Sequence, residues 1–250
     1  MASVTVNARD RIQHGIIFEL AKEKVQKCVF KGGTMLRVCA LPQYRMSEDL
    51  DFDVISPFIP LDLLQSLDSV SKRISESIEV DLFLGYSNIL GIHYIGWGNG
   101  IENEEYIKLD IGLASKEHLR DRVELLKVQP NYSEFRNSDR ILCYSLEHVV
   151  ATKFHCLASR VKGRDIYDIW RLAKLPNIVE AGWHIYLTDK ELRTNLQPQE
   201  LADNLKELSS TFVAEWEADV STLLIPYHHK PLDIIENVIL IIQNLQKKKV

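Results

Sequence analysis

The sequence predicts an α+β fold: a mixed sheet with flanking helices in the N-terminal half, then a mainly helical C-terminal half. Three observations carry this. Residues 49–55 alternate apolar and acidic side chains with the two-residue period of a strand. A helical stretch and further β-rich segments follow it as far as Leu113. From Ser145 onward the apolar residues recur at helical spacing. Between the halves, Ser115 to Asp139 carries charges and the turn signals Pro130-Asn131 and Asn137-Ser138. This places a domain boundary at 135/136, giving units 1–135 and 136–250.

Composition limits the function classes. The chain has 250 residues, of which 46% are hydrophobic and 26% charged, as in ordinary globular proteins. Cys28, Cys39, Cys143 and Cys156 are widely spaced, with no C-x-x-C pair. That argues against a zinc site or disulfide framework and for reduced thiols in the cytoplasm. Arg9, Asp10 and Arg11 interrupt any N-terminal signal, and no apolar run is long enough to span a membrane. With a net charge of −5, a polyanionic partner must meet a local basic patch.

In chain order, Asn7 to Lys27 reads as an amphipathic helix with Ile12, Ile16 and Leu20 on its apolar side and Asn7 as N-cap. His14 is expected at its surface. Cys28-Val29-Phe30 is a short extended piece that enters the turn Gly32-Gly33. Glycines there permit a tight turn and close approach of backbone to a ligand. The helix Thr34–Leu41 follows, stopped by Pro42, and amides at its start can hold a phosphate. No Gly-Lys-Ser/Thr follows at Walker A spacing. Pro57 and Pro60 end the acidic strand, and Leu61 to Ser77 forms a crossover helix through Leu63, Leu67, Val70 and Ile74. Ile78 to Leu84 and Asn88 to Trp97 read as strands. The turn Gly98-Asn99-Gly100 then leads to a strand from Glu105 to Leu113, which makes an antiparallel hairpin with the preceding one.

The acidic strand concentrates the chemistry. Leu50, Phe52 and Val54 face a core, so Asp49, Asp51 and Asp53 share the other face. Stacked carboxylates repel, and hard oxygen ligands on a strand suit Mg²⁺ or Mn²⁺, ions that often accompany phosphates. The strand Tyr106–Gly112 sets Lys108 and Asp110 opposite Ile107, Leu109 and Ile111; beside the acidic strand Asp110 would supply a third metal-facing oxygen, while on an edge strand the same letters are exposed side chains. Asp81 competes for that place but lacks a matching motif.

In the C-terminal half, Ser145 caps a helix to about Ser159 with Lys153 inside it. Asp165 and Asp168, three residues apart, share one helix face between Arg160 and Arg164. A salt-bridge cluster with Lys153 explains them without chemistry. Asn177 to Thr188 carries no clear period. Gln199 to Leu224 and Leu232 to Gln246 are helical. His228-His229 falls in a break and reads as loop, because neighbouring histidines point apart.

The pattern Lys31-Gly32-Gly33-Thr34-x-Leu36, then Arg45-x-Ser47-x-Asp49-Leu50-Asp51-Phe52, resembles the signature of the AbiEii-type toxins, a branch of the polymerase-beta-like nucleotidyltransferases. Lys108-x-Asp110 matches a second element of that family, and Lys153 with Arg164-Asp165-x-x-Asp168 a third. Simpler relatives have Gly-Ser where this chain has Gly32-Gly33, and Ser47 stands ready to supply the hydroxyl.

The resemblance implies transfer of a nucleoside monophosphate from a nucleoside triphosphate to an acceptor hydroxyl, in RNA such as the tRNA 3′ end. It also implies that a cognate antitoxin restrains the chain. Asp49, Asp51 and Asp110 would hold two metal ions. Gly32, Gly33, Thr34, Arg45, Ser47 and Lys108 would bind the phosphates. The helical domain would complete the nucleotide pocket with Lys153, Asp165 and Asp168. Two alternatives are a metal-dependent glycosyltransferase using a nucleotide sugar and a non-catalytic nucleotide-binding module.

Overall fold

The computed structural model describes residues 2–23, 28–41, 44–55, 60–98, 106–129, 132–135, 139–192, 194, 196–220 and 229–248. The expectations resting on Asn7 to Lys27 beyond residue 23, and on Pro42, Pro57, Asn99, Gly100, Glu105, Pro130-Asn131, Asn137-Ser138 and His228, lie wholly or partly outside the described residues. Two compact units emerge, Met1–Tyr144 and Ser145–Val250.

The first unit is built on a seven-stranded mixed sheet. Its strands are β1 (Cys28–Lys31), β2 (Leu50–Ile55), β3 (Leu82–Ser87), β4 (Ile92–Trp97), β5 (Tyr106–Ala114), β6 (Val123–Lys127) and β7 (Arg140–Tyr144). They lie in the order β3-β4-β5-β2-β1-β7-β6. β2 runs parallel to β5 and β1 parallel to β7, and every other pair is antiparallel. The expected β4–β5 hairpin is present.

The alternation of β2 explains its central place. Leu50, Phe52 and Val54 are completely buried, and the Phe52 ring stacks on Phe30 of β1 with centroids 5.3 Å apart. Burying such a side chain stabilises the fold by roughly 1.5–3 kcal/mol. Helix α1 (Ala2–Lys22) contributes Ile12, Ile16 and Leu20 to the core and packs on α3 (Pro60–Ile78), β5 and β7.

Several boundaries differ from expectation. Helix α1 starts before Asn7, which therefore sits inside the helix rather than at its cap. His14 is buried against Tyr132 and Phe135, not exposed, and burial lowers its pKa to about 4. Helix α3 runs on to Ile78, where Glu79 at φ 57° turns the chain, so the next strand begins at Leu82. Residues 88–91 form a turn rather than the start of β4. The expected boundary at 135/136 stands at 144/145, because β7 pairs with β1 and β6 and belongs to the sheet. The charged seam also hides a short helix, α4 (Lys116–Leu119), and strand β6.

The second unit is helical. It comprises α5 (Leu146–Ser159), α6 (Gly163–Leu172), α7 (Ile178–Thr188), α8 (Leu201–Glu207), α9 (Ser209–Asp219) and α10 (Pro231–Lys247). Ser145 caps α5 as expected, its hydroxyl accepting from the His148 amide at 3.3 Å. Helix α7, unread in the sequence, packs along α5, with Trp183 edge-on to Phe154 at 5.0 Å. Gly163 lies so near the backbone of Trp216 that a Cβ would stand 2.9 Å from it, which holds α6 tightly to α9.

Candidate active site

The register of the sheet assembles the polar face of unit one. Asp51 on β2 is paired with Asp110 on parallel β5 and with Lys31 on antiparallel β1. Directly opposite residues in a sheet project to the same side, so these three side chains share a face. Asp110 is 56% exposed, and its carboxylate lies 3.6 Å from the Lys108 ammonium two residues earlier. Asp81, the rival for the third carboxylate, precedes β3, which is separated from β2 by β4 and β5.

The glycine turn belongs to this face. β1 ends at Lys31, and a short helix, α2 (Gly32–Met35), runs straight into a π-helical turn, Leu36–Ala40, in place of the single helix expected from Thr34. Gly32 has φ +79°, and a Cβ there would stand 2.0 Å from Asp51 Oδ2. Both facts demand glycine: the backbone angle disfavours any L side chain, and the Asp51 carboxylate fills the space one would occupy. A Cβ on Gly33 would meet the Arg45 guanidinium and Ser47 Oγ, each at 2.9 Å. Gly32, Gly33, Arg45, Ser47 and Asp51 thus come together.

Other side chains of the motif are tied into the fold. Thr34 is fully buried and donates from Oγ1 to the Asp49 carbonyl at 2.6 Å, so its hydroxyl anchors the entry to β2 rather than facing an open cleft. Gln13 Nε2 donates to the same carbonyl at 3.3 Å. Arg37 of the π-turn is paired with Asp10 and donates to the Tyr44 carbonyl at 2.7 Å, which fixes the segment leading to Arg45.

The three acids of β2 meet three different fates. Asp53 is engaged by Lys31 Nζ at 2.6 Å and by the Tyr144 hydroxyl, which donates to it at 2.6 Å. Its carboxylate lies over Gly112 of β5, where a Cβ would meet Asp53 Oδ1 at 2.3 Å. Asp51 faces Asp110. Asp49, just ahead of the strand, lines a pocket with Arg9, Glu48, Tyr106 and Lys108. Among the described residues, no three His, Cys, Asp or Glu side chains gather as a metal-binding group. The expected Asp49, Asp51 and Asp110 trio is therefore a register pair plus a neighbour, not a preformed cage.

In unit two, Lys153 of α5 reaches two acids of α6. Its ammonium lies 2.8 Å from Asp165 and 2.7 Å from Asp168, both wholly buried, and Arg160 Nε donates to Asp165 at 2.9 Å. Burial pushes the Asp165 carboxyl up, but the charge of Lys153 and the hydrogen bond from Arg160 outweigh it and hold its pKa below the usual carboxylate value. The salt-bridge cluster that explains these residues without chemistry is present. Further along α6, Arg171 donates to the Tyr167 hydroxyl at 2.9 Å and Lys174 lies 3.8 Å over the Trp170 ring.

Sequence comparison bears on the same motifs. The family model for the nucleotidyl transferase AbiEii toxin of type IV toxin–antitoxin systems matches residues 17–231. The chain belongs to this family. No curated protein matches it in sequence. Among solved structures it is similar to JHP933 from Helicobacter pylori, with 19% identity, a TM-score of 0.56 and 97% of this chain covering 92% of that one. It is also similar to a putative nucleotidyltransferase from H. pylori, with 19% identity, a TM-score of 0.55 and 97% covering 95%. These likenesses show a shared fold.

As an AbiEii chain it is a nucleotidyltransferase toxin with a nucleotide as substrate and an antitoxin as counterpart. No described helix is long and apolar enough to cross a membrane. Sequence reading overlooked several residues of its polar face. Gly112 left a trace, since a glycine inside a strand signals close approach of another group. Lys31 stands in the motif, but its pairing with Asp53 left no trace, and Tyr144, Arg9 and Tyr106 left none either, because their places depend on pairings between distant segments.

Proposed function

We propose that this AbiEii chain moves a nucleoside monophosphate from a nucleoside triphosphate to an acceptor hydroxyl of RNA, such as the tRNA 3′ end, in the cytoplasm and subject to its antitoxin. The observation that supports this most is the pairing of Asp51 with Asp110 beside a glycine turn packed on the Asp51 carboxylate. The donor set fits Mg²⁺ or Mn²⁺: hard carboxylate oxygens, few in number, on rigid strands. Magnesium is commonly held by one or two carboxylates with the substrate's phosphates and water, so an open pair suits it better than a closed cage would. Asp51 and Asp110 would hold the ion, with Asp49 at the margin. When bound, the ion neutralises charge at the reacting phosphate.

The chain's own groups supply the rest. Backbone amides of Gly32 and Gly33 and the Ser47 hydroxyl orient the phosphates. Arg45 and Lys108 offset their charge. Asp110, being exposed, accepts the proton of the attacking hydroxyl. Such catalysis is mainly positioning and electrostatics.

The test is to incubate the protein with each α-labelled triphosphate, Mg²⁺ and total RNA. Label entering RNA is expected. Transfer from nucleotide sugars alone would favour the glycosyltransferase reading, and binding without turnover the non-catalytic one.

A further inference from the structure

Three residues beside the polar face, Arg9, Glu48 and Tyr106, have no role in the scheme above. At the start of β2 and β5 a pocket of about 200 Å³ opens next to Asp49. Arg9 comes to it from α1, Glu48 from the segment entering β2, and Tyr106 and Lys108 from the first residues of β5. Arg9 and Glu48 face each other at 3.7 Å, beyond hydrogen-bond length. The Tyr106 ring is braced edge-on by Tyr94, with centroids 6.0 Å apart.

The lining indicates the ligand class. Two cations, Arg9 and Lys108, balance two carboxylates, Glu48 and Asp49. A polyphosphate filling the pocket would meet the acids, and a hydrocarbon would take four charged groups out of water while offering them no hydrogen bond. A planar heterocycle with N–H donors and carbonyl or ring-nitrogen acceptors on its edge satisfies both signs, and Tyr106 offers it an aromatic surface. The volume is smaller than the roughly 300–1,000 Å³ of sites that hold a whole drug-sized ligand. It suits one ring system.

We propose that this pocket takes a nucleobase and that Glu48, Arg9 and Tyr106 select it. A carboxylate only accepts and a guanidinium only donates, so together they read an edge carrying both kinds of group. A site built to hydrogen-bond its substrate rejects analogues that leave those groups unpaired. The inference rests on the nucleotidyltransferase reading of the adjacent carboxylates. The base has two sources with the same chemistry, the incoming triphosphate and the 3′-terminal nucleotide of the acceptor RNA.

Affinities separate these sources. The full chain is titrated with each of the four nucleoside triphosphates in Mg²⁺, and with four short RNAs that differ only in the 3′ base. Wild type is compared with Glu48→Gln, Tyr106→Ala and Tyr106→Phe, each checked by thermal melting. Wild type is expected to prefer one base in one series by about fivefold or more, and Glu48→Gln to erase or reorder that preference. Tyr106→Ala should weaken that whole series about tenfold, while Tyr106→Phe, which keeps the stacking surface, should not. The series that responds identifies the source. Folded variants whose affinities all stay within about twofold of wild type, or a wild type indifferent to the base, would overturn the pocket assignment alone. A wild type that binds neither triphosphates nor RNA would overturn the nucleotidyltransferase reading itself.

Discussion

Asp110 and Asp165 carry the same side chain into opposite surroundings. Asp110, on β5, is 56% exposed, and its neighbouring cation stands 3.6 Å away. Asp165, on α6, has no exposed side-chain surface and is held by Lys153 at 2.8 Å and Arg160 at 2.9 Å. The first is placed to exchange water for an incoming group. The second has given up water for protein cations, and the desolvation cost of a buried charge is offset only while those partners stay. One constellation stands open to solvent, and the other ties α5 to α6.

Replacing one charged group in each setting should separate the two. Asp51→Asn removes charge from the open face, where the space over Gly32 and the pairing with Asp110 remain. It should lower transfer on the order of 10²–10³-fold or more, with a melting temperature close to wild type. A variant that loses stability in proportion to activity would break the contrast.

Lys153→Met removes the cation shared by two buried carboxylates, Asp165 and Asp168. A loss of about 3–5 kcal/mol in stability is expected, read by denaturant unfolding. The same variant tests the pH dependence. Because the pKa of Asp165 is depressed in the folded state, its stabilisation is complete above the unfolded carboxylate value of about 3.9 and fades as pH falls through the lower folded value. Without Lys153 that fading should begin at higher pH, so the acid midpoint moves up.

Gly112→Ala places a methyl 2.3 Å from Asp53 Oδ1 and 3.5 Å from Lys31 Nζ. The Asp53 carboxylate must move away from Lys31 and Tyr144, at a cost of about 1–3 kcal/mol in unfolding experiments. The smallest effect belongs to Lys108→Met. Its pair with Asp110 is solvent-exposed and long, so stability should change by less than about 1 kcal/mol. Any clear effect of that variant should therefore appear in nucleotide affinity, which would sharpen the distinction between exposed and buried pairs.

The two regions also differed in how far the letters alone could reach. Period and capping are local, and they located β2, the α5 cap at Ser145 and the helical character of the C-terminal half. The motifs around Gly32, Asp49, Asp110 and Lys153 gave the family from the sequence alone, because their residue types recur in order at fixed spacing. Strands β6 and β7 escaped notice since each is five residues long and sits among charges and turns. Helix α7 escaped because it is apolar on most sides, as a helix packed between neighbours is.

Only the tertiary structure decided which neighbours each acid meets. Alternation put Asp49, Asp51 and Asp53 on one face but could not rank them. The pairing of β2 with β5 sets Asp110 beside Asp51, while β1 and β7 deliver Lys31 and Tyr144 to Asp53. Asp49 falls beyond the end of the strand and opens onto a pocket shared with α1. Strand register joins segments tens of residues apart, and no local period encodes it. It is fixed by which apolar faces bury together, and the carboxylates follow where Leu50, Phe52 and Val54 lead.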